Sequence, residues 1–192
     1  MTAINRPVRL AQIDMENIVT AVSANLFGEE GVRVFAILDG ALIPDLLEKL
    51  QQFEPEYYCL YRGDLKPDMA EVAPYLVRLR PNTPLAEWII EKGWGKNWGI
   101  FIHSPANLQA MRKHFRGFLT VYDSSGKPML FRYYDPRVLR LYLPTCNPDE
   151  LQKVFGPVTS YMLEGEDPKT LLRFQFVKNA LQQENRALDP KT

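Results

Sequence analysis

In the first half of the chain, the spacing of hydrophobic residues alternates between the pattern of an α-helix and that of a β-strand. Apolar residues recur every four positions over 14–26, which predicts a helix with Asp14 as its N-cap. The run VRVFAILDG (32–40) is apolar almost throughout and predicts a buried strand. Leucines at helical spacing predict a second helix over 41–53. This alternation is typical of helices packed on the faces of a sheet.

The same alternation continues to residue 134. Thr83 is placed to cap a helix over 84–93, and Ser104 with Pro105 is expected to begin another that runs to about residue 116. The stretch 118–134 predicts a hairpin, because DSSGKP supplies turn residues between two alternating segments. Three further strands are predicted at 57–63, 75–80 and 98–104.

Prolines at 136, 144 and 148 mark the best candidate boundary, which divides a main lobe (1–135) from a small annex (136–192). The annex is predicted to contain two short helices, a hairpin that turns at GEDP, and a polar, helix-prone tail that begins at Lys178. Its helices and hairpin are predicted at 136–142, 148–155 and 158–176. The predicted fold class is α/β in the mixed α+β sense: a mixed β-sheet flanked by helices, with a helical and hairpin annex at the C-terminus.

Composition narrows the class of protein. A chain of 192 residues buries roughly 70% of its unfolded surface and needs neither disulfides nor a metal to be stable. Lysine plus arginine equals aspartate plus glutamate at 23 each, so the formal net charge is zero. That balance argues against a dedicated nucleic-acid binder, whose affinity depends on a basic surface.

Location is predicted from three features of the sequence. No basic segment followed by an apolar run marks a signal peptide at the N-terminus. No apolar run approaches the ~20 residues needed to span a bilayer, so no membrane association is expected. Cys59 and Cys146 lie far apart and match no metal-ligand spacing, which favours reduced thiols. The sequence therefore predicts a cytoplasmic protein.

The residues that could carry acid–base chemistry are few. His103 and His114 are the two histidines, and neither stands in a metal-ligand spacing. We expect His103 to end a buried strand and His114 to be a hydrogen-bonded helix residue. Asp39 follows a strand where α/β enzymes often place catalytic acids, but we interpret it as the cap of the next helix.

Two glycine-containing motifs have structural interpretations. Arg62 and Asp64 flank Gly63, whose freedom to adopt positive φ would let the two side chains fold toward each other or toward a third group. The stretch GWGKNWG (93–99) lacks the order of a phosphate-binding loop. We interpret its tryptophans, Trp98 among them, as packing anchors beside a tight helix-to-strand turn.

The stretch FRYYDPRVLRLYLPT (131–145) crowds three arginines and one aspartate among aromatic side chains. As a nucleic-acid platform it would offer arginines to phosphates and tyrosines to bases, but the balanced net charge argues against that interpretation. Asp135 is placed to cap the helix that follows and to accept a guanidinium. We therefore interpret the stretch as a partly buried ion-pair network between the last strand of the main lobe and the annex. Its arginines are Arg132, Arg137 and Arg140.

Seven sequence blocks, in this order, resemble the adaptor or chaperone family encoded beside type VI secretion effectors and VgrG genes, long catalogued as a domain of unknown function. The resemblance covers roughly 33–165, and its most specific block contains FRYYDPRVLR. The blocks are ILDGA (37–41), CLYRGD (59–64), APYLVRL (73–79), NWGIFIHS (97–104), KHFRGFLTV (113–121), LFRYYDPRVLRLYLPT (130–145) and FGPV (155–158).

The resemblance implies a non-enzymatic adaptor with no catalytic residue, cofactor or metal. Its implied partners are a secreted toxic effector, bound through the effector's N-terminal segment, and the VgrG spike protein. Many members carry a longer helical C-terminal lobe, so the annex is expected to act here with less surface. The residues that match the family motif are expected to be mostly structural, and otherwise partner-binding. They are Arg62, Asp64, Trp98, Gly99, His114, Arg116, Arg132, Asp135, Pro136 and Arg137.

Two other classes of function stay open at this point. A small cytosolic hydrolase would bring a histidine and a carboxylate together in a cleft, drawn from Asp39, Asp64, His103 and His114. A nucleic-acid-binding regulator would need a local basic patch despite the neutral net charge.

Overall fold

The computed structural model describes residues 6–188, with side chains from residue 15 onward. Helices and strands alternate over most of this range. The helices are α1 (Arg6–Phe27), α2 (Leu46–Phe53), α3 (Pro67–Glu71), α4 (Pro84–Gly93), α5 (Leu108–Arg116), α6 (Pro136–Tyr142) and α7 (Pro148–Phe155). The strands are β1 (Arg33–Asp39), β2 (Tyr57–Cys59), β3 (Pro74–Leu79), β4 (Gly99–Ser104), β5 (Thr120–Tyr122), β6 (Pro128–Leu130), β7 (Ser160–Glu164), β8 (Thr170–Val177) and β9 (Ala180–Ala187).

Seven of these strands form one sheet in the order β2-β3-β1-β4-β7-β8-β9, and β5 pairs with β6 in a separate hairpin. Every pairing in both sheets is antiparallel. Strand β1 lies in the interior of the sheet, between β3 and β4, where Ile37 is opposite Leu76 of β3 and Ile100 of β4. The mixed α+β class predicted from the sequence is confirmed. The sheet itself is not mixed as predicted, because every neighbouring pair of its strands is antiparallel.

The two faces of the sheet are covered by different helices. Successive residues of β1 point to opposite faces, so Ala36 belongs to one apolar core and Ile37 to the other. Helices α1, α2 and α4 pack over the first core, and α5, α6 and α7 pack over the second. Because both faces are buried, β1 is apolar almost throughout, and this is the pattern from which the sequence predicts it.

The sheet continues across the boundary predicted at residue 135. Strand β7 pairs with β4, so that Met162 lies opposite Phe101. Strands β8 and β9 then extend the same sheet. The division into a main lobe (1–135) and an annex (136–192) as separate units stays a prediction, and its residues 1–5 and 189–192 lie outside the described part of the chain.

The predicted tail helix is wrong, because the tail forms β9 instead. Lys178 and Asn179 both have positive φ, at 51° and 59°, and two such residues form the tight turn that best suits a two-residue hairpin. The polar side chains of β9 are mostly exposed, while its backbone pairs along the whole of β8. Backbone pairing does not depend on side-chain polarity, so composition did not reveal this strand.

Three helix boundaries also differ from prediction. Helix α1 begins at Arg6, so Asp14 lies inside it and is not its N-cap. Helix α5 begins after Asn107, whose side chain accepts a hydrogen bond from the Ala110 N–H at 2.9 Å. Ser104 instead ends β4 and donates its hydroxyl proton to the Pro157 carbonyl at 2.6 Å. Helix α2 begins later than predicted, at Leu46.

Other predicted boundaries agree with the structure. Thr83 caps α4 through the Ala86 N–H, and Pro136 begins α6. Asn147 and Glu150 cap α7 in a reciprocal pair. These starts are local, since each depends on a side chain within three residues of the helix that it caps.

Candidate functional site: an ion-pair seam and a basic groove

The seam is a group of four charged side chains, Asp39, Arg132, Asp135 and Arg137, where β1 meets the start of α6. Asp39 is 1% exposed, and one of its carboxylate oxygens accepts a hydrogen bond from the Arg132 guanidinium. The other oxygen accepts the Ala41 N–H at 3.1 Å. Asp39 therefore closes a turn and pairs with a cation. The expectation that it caps α2 is wrong, because the cap position of that helix is Asp45.

Asp135 joins the seam to α6. Its Oδ1 accepts hydrogen bonds from the Arg137 N–H and Nε at 2.9 Å each, and its Oδ2 accepts from the same guanidinium at 2.7 Å. Arg132 lies 3.9 Å from Oδ2. Burial raises the pKa of Asp135, but the hydrogen bonds and charge of Arg137 outweigh it, so the pKa lies below its ordinary value. Pro136 at the first helical position completes a strong helix start.

The tyrosines of this stretch are core residues. Residues 131–134 do not form a strand, so the hairpin predicted over 118–134 ends earlier, at Leu130. Tyr133 and Tyr134 are each 1% exposed, and the Tyr133 hydroxyl donates to the Phe115 carbonyl at 2.9 Å. Burial raises the pKa of both phenols above its ordinary value. The arginines therefore lie beside a packed aromatic core and not beside exposed stacking faces.

Glu164 at the end of β7 is a buried carboxyl that the sequence interpretation missed. Its Oε1 accepts the Asn97 N–H at 2.6 Å, and the side chain has no ion pair within the described residues. Burial raises its pKa to about 7, against the lowering effect of the backbone N–H groups of Asn97 and Gly95 and the charge of Arg140. No sequence feature marks it, since its burial depends on the packing of distant segments.

Two further motif residues secure α5. Arg116 donates hydrogen bonds to three consecutive carbonyls at the end of β2 and just beyond it: Cys59 at 2.9 Å, Leu60 at 3.1 Å and Tyr61 at 2.5 Å. His114 donates from its Nε2 to the Val154 carbonyl at 3.0 Å.

The His114 ring also lies against Gly156. A Cβ at Gly156, where φ is +46°, would lie 2.6 Å from the ring. Burial lowers the pKa of His114.

Trp98 and Gly99 hold the start of β4 against β1. The Trp98 carbonyl accepts the Asp39 N–H at 2.8 Å, and its ring packs on Trp88 at a centroid distance of 4.9 Å. A side chain at Gly99 would overlap the Ile37 carbonyl oxygen. Both residues thus connect to the strand that carries the seam.

Arg62 and Asp64 differ from the other motif residues because both are exposed. Gly63 between them has φ of +81°, as expected. No ion pair joins Arg62 to Asp64 in the described part of the chain. Arg62 instead extends toward α5, where it lines two adjoining grooves together with Arg116.

The basic groove is lined by four cations, Arg62, Arg112, Lys113 and Arg116, and has a volume of about 660 Å³. Arg112 lies over the Tyr58 ring at 4.4 Å from its centroid, while its Nε is buried and has no hydrogen-bond partner among the described residues. Burial and the like charges of Arg112 and Arg62 lower the pKa of Arg116. Sequence reasoning missed this cluster because Arg62 and Arg112 are brought together only by the packing of α5 on the sheet.

The residues considered for hydrolysis do not converge. No hydrogen bond or ion pair joins either histidine to Asp39 or Asp64 within residues 15–188. His103 is 1% exposed and its Nε2 lies 2.7 Å from the Leu26 carbonyl, while its Nδ1 lies 3.5 Å from Glu29. Burial lowers the pKa of His103. Its ring joins α1 to β4 as a buried structural group.

Among the described residues, no cluster of three or more histidine, cysteine, aspartate or glutamate side chains is suited to a metal ion. Over the same residues, no helix combines the length and the apolar character needed to cross a membrane.

The fold and geometry define an α+β domain in which most of the charged motif residues hold one element to another. The chain belongs to the DUF4123 family, described as a domain of unknown function, whose model matches residues 34–153. This family is associated with type VI secretion as an effector adaptor or chaperone domain, and it is not known as an enzyme family. Comparison with curated proteins and with solved structures gave no match.

Proposed function

We propose that the protein is a non-enzymatic adaptor that binds a type VI secretion effector in the cytoplasm of the producing cell and promotes its loading onto the VgrG spike. The observation that carries the proposal is family membership over residues 34–153, a span that includes the whole seam. We further propose that the adaptor binds the N-terminal segment of the effector.

The contacts of the motif residues support a division of labour among them. We propose that Trp98, Gly99, His114 and Arg116 serve the fold, because each packs against or bonds to backbone of another element. We propose the same role for the seam residues and for Pro136, which begins α6.

Arg62 and Asp64 are exposed and have no ion-pair partner in the described part of the chain. We propose these two residues for partner contact.

Co-expression with the neighbouring effector and VgrG genes tests the function. A tagged adaptor should retain the effector at physiological salt, and deletion of the adaptor should remove the effector from purified VgrG while leaving VgrG assembly intact. An unrelated effector expressed at the same level is the control for specificity. Equal loading of the cognate effector with and without the adaptor would refute the proposal.

A further inference from the structure

Two grooves on one surface of the molecule adjoin each other and differ in chemistry. The basic groove contains four cations, and the second, the apolar groove, has a volume of about 600 Å³. Arg62 and Arg116 line both, so the two form one continuous depression. The apolar groove is lined chiefly by Leu65, Met69, Leu119, Tyr122 and Leu130.

We propose that this depression is the docking surface for an acidic amphipathic segment of a protein partner. Carboxylates on one side of the segment would pair with Arg62, Arg112 and Lys113, and apolar side chains on the other would pack on Met69 and Leu130. The proposal rests on the proposed function only in taking the partner to be the effector, and it adds the site and the chemistry of the bound segment.

The charges that line the two grooves favour an acidic partner. No carboxylate is among the described residues that line either groove. None of Arg62, Arg112, Lys113 and Arg116 has an ion pair within residues 15–188. Cations gathered without counter-charges repel one another, and an acidic partner would relieve that repulsion. Asp64 and Asp68 are nearby in sequence but are exposed and line neither groove.

The exposed apolar side chains beside these charges favour a partner segment that is also apolar on one side. Three of the eight large hydrophobic side chains that are exposed in the described part of the chain line the apolar groove: Met69, Tyr122 and Leu130. Tyr122 is 70% exposed and Leu130 is 51% exposed, both on the β5–β6 hairpin. Exposed apolar side chains gathered in one region mark interaction surfaces.

The pairing of aliphatic and basic halves favours a protein segment over a nucleic acid. A surface for single-stranded nucleic acid presents aromatic faces on which successive bases stack. In the apolar groove the aliphatic side chains, among them Leu65, Met69 and Leu130, outnumber the two tyrosines, Tyr61 and Tyr122. The zero net charge of the chain agrees with this choice.

The test uses the full chain and a fluorescein-labelled helical peptide of about five turns with glutamate on one face and leucine on the other. A second peptide replaces each glutamate with lysine. Binding is measured by fluorescence anisotropy at low and high salt. A short single-stranded RNA and vesicles of anionic phospholipid are tested in parallel. We expect the glutamate peptide alone to bind, with an affinity that falls as salt rises.

Matched variants locate the binding. Arg62→Glu/Lys113→Glu should weaken the glutamate peptide roughly tenfold or more, since reversed charges repel its carboxylates. Met69→Ser/Leu130→Ser should weaken it by a similar factor. The control Arg80→Glu/Lys92→Glu changes the net charge equally but lies outside both grooves, and should change affinity by less than about twofold. Arg62→Gln/Lys113→Gln replaces the first double variant if that protein melts below wild type.

Any of three results would refute the proposed docking surface. The groove and control variants could bind the peptide equally, the peptide could fail to bind wild type, or only RNA or vesicles could bind. The effector distinguishes this failure from failure of the adaptor function. If wild type and both groove variants retain the effector equally, the proposed docking surface is refuted and the adaptor function is not. If wild type does not retain the effector but still binds the peptide in the groove, the adaptor function is refuted and the docking surface is not.

Discussion

The seam and the basic groove are both rich in arginine, yet their cations have different partners. In the seam, Arg137 bonds Asp135 through two nitrogens, and Arg132 bonds Asp39, with both carboxylates nearly inaccessible to water. In the groove, Arg112 lies over a tyrosine ring and Arg116 bonds backbone carbonyls. The groove keeps its positive charge, whereas in the seam the charges cancel.

This difference separates residues that stabilise the fold from residues available to a partner. A buried carboxylate with its guanidinium is costly to break, because the remaining charge is left without compensation. An exposed cation without a counter-charge contributes little to stability. Arginine content alone does not distinguish the two regions. The distribution of carboxylates does.

The strongest test of the comparison is Asp135→Ala in the seam. The change removes the N-cap of α6 and the hydrogen-bond acceptor of Arg137, whose own side chain is half-exposed, so we expect a loss of about 2–3 kcal/mol in the free energy of unfolding. Urea denaturation followed by circular dichroism measures it. A wild-type midpoint combined with lost effector binding would mean that Asp135 contacts the partner instead.

Glu164 extends the comparison to a buried carboxyl without a paired cation. Its pKa of about 7 in the folded protein lies above the ordinary 4.5. Between these values the folded state holds a proton that the unfolded chain releases, so stability falls as pH rises from about 4.5 to 7. We expect a fall of roughly 2–3 kcal/mol from this group.

Glu164→Gln provides the matched control for that pH dependence. The amide oxygen can still accept the Asn97 N–H, but the residue no longer titrates. The variant should therefore lose less stability than wild type between pH 5 and 8 in parallel urea titrations. Identical pH profiles for the two proteins would show that Glu164 is ionised throughout. Burial lowers the pKa of His103, which acts oppositely by reducing stability as pH falls below about 6.5, and both proteins share that effect.

Arg116 lines the groove, but like the arginines of the seam its guanidinium is hydrogen-bonded within the protein. It therefore tests whether a groove cation can also stabilise the fold. Arg116→Lys keeps the charge and loses the planar fork that reaches the Cys59, Leu60 and Tyr61 carbonyls. We expect a loss of about 1–2 kcal/mol in unfolding free energy, with the affinity for the glutamate peptide reduced much less than by the Arg62→Glu/Lys113→Glu change. The reverse pattern would assign Arg116 to the partner.

Lys113→Ala should have the smallest effect on stability. The side chain is exposed on α5 and has no ion pair in the described residues, so we expect a change below about 0.5 kcal/mol. Thermal melting checks this value. A loss as large as that of Arg116→Lys would show that the groove cations also support the fold, and the distinction between the two regions would no longer hold.

Prediction from sequence succeeded where the determining residues are neighbours. Thr83 and Asn147 begin α4 and α7 because a side-chain oxygen meets an N–H three residues on. Asp135 caps α6 for the same reason, with a reach of two residues. These elements need no knowledge of the rest of the chain.

Prediction failed where the partner lies far along the chain. In its local sequence Asp39 resembles a helix cap, but in the structure its carboxylate pairs with Arg132, 93 positions along the chain. Ser104 also resembles a cap, but its hydroxyl donates a hydrogen bond to the Pro157 carbonyl. In each case the side chain accepts a backbone N–H two residues on and also forms a tertiary hydrogen bond, and neither residue caps the helix that follows.

The sequence by itself determined the central strands and the capped helices, since apolar periodicity and capping chemistry act within a few residues. Only the tertiary structure decided that β9 joins the sheet, that Asp39 pairs with Arg132, and that Arg62 and Arg112 line one groove with no carboxylate among its described lining residues. Those outcomes depend on which distant surfaces pack together. Packing is a property of the whole chain, and no local pattern encodes it.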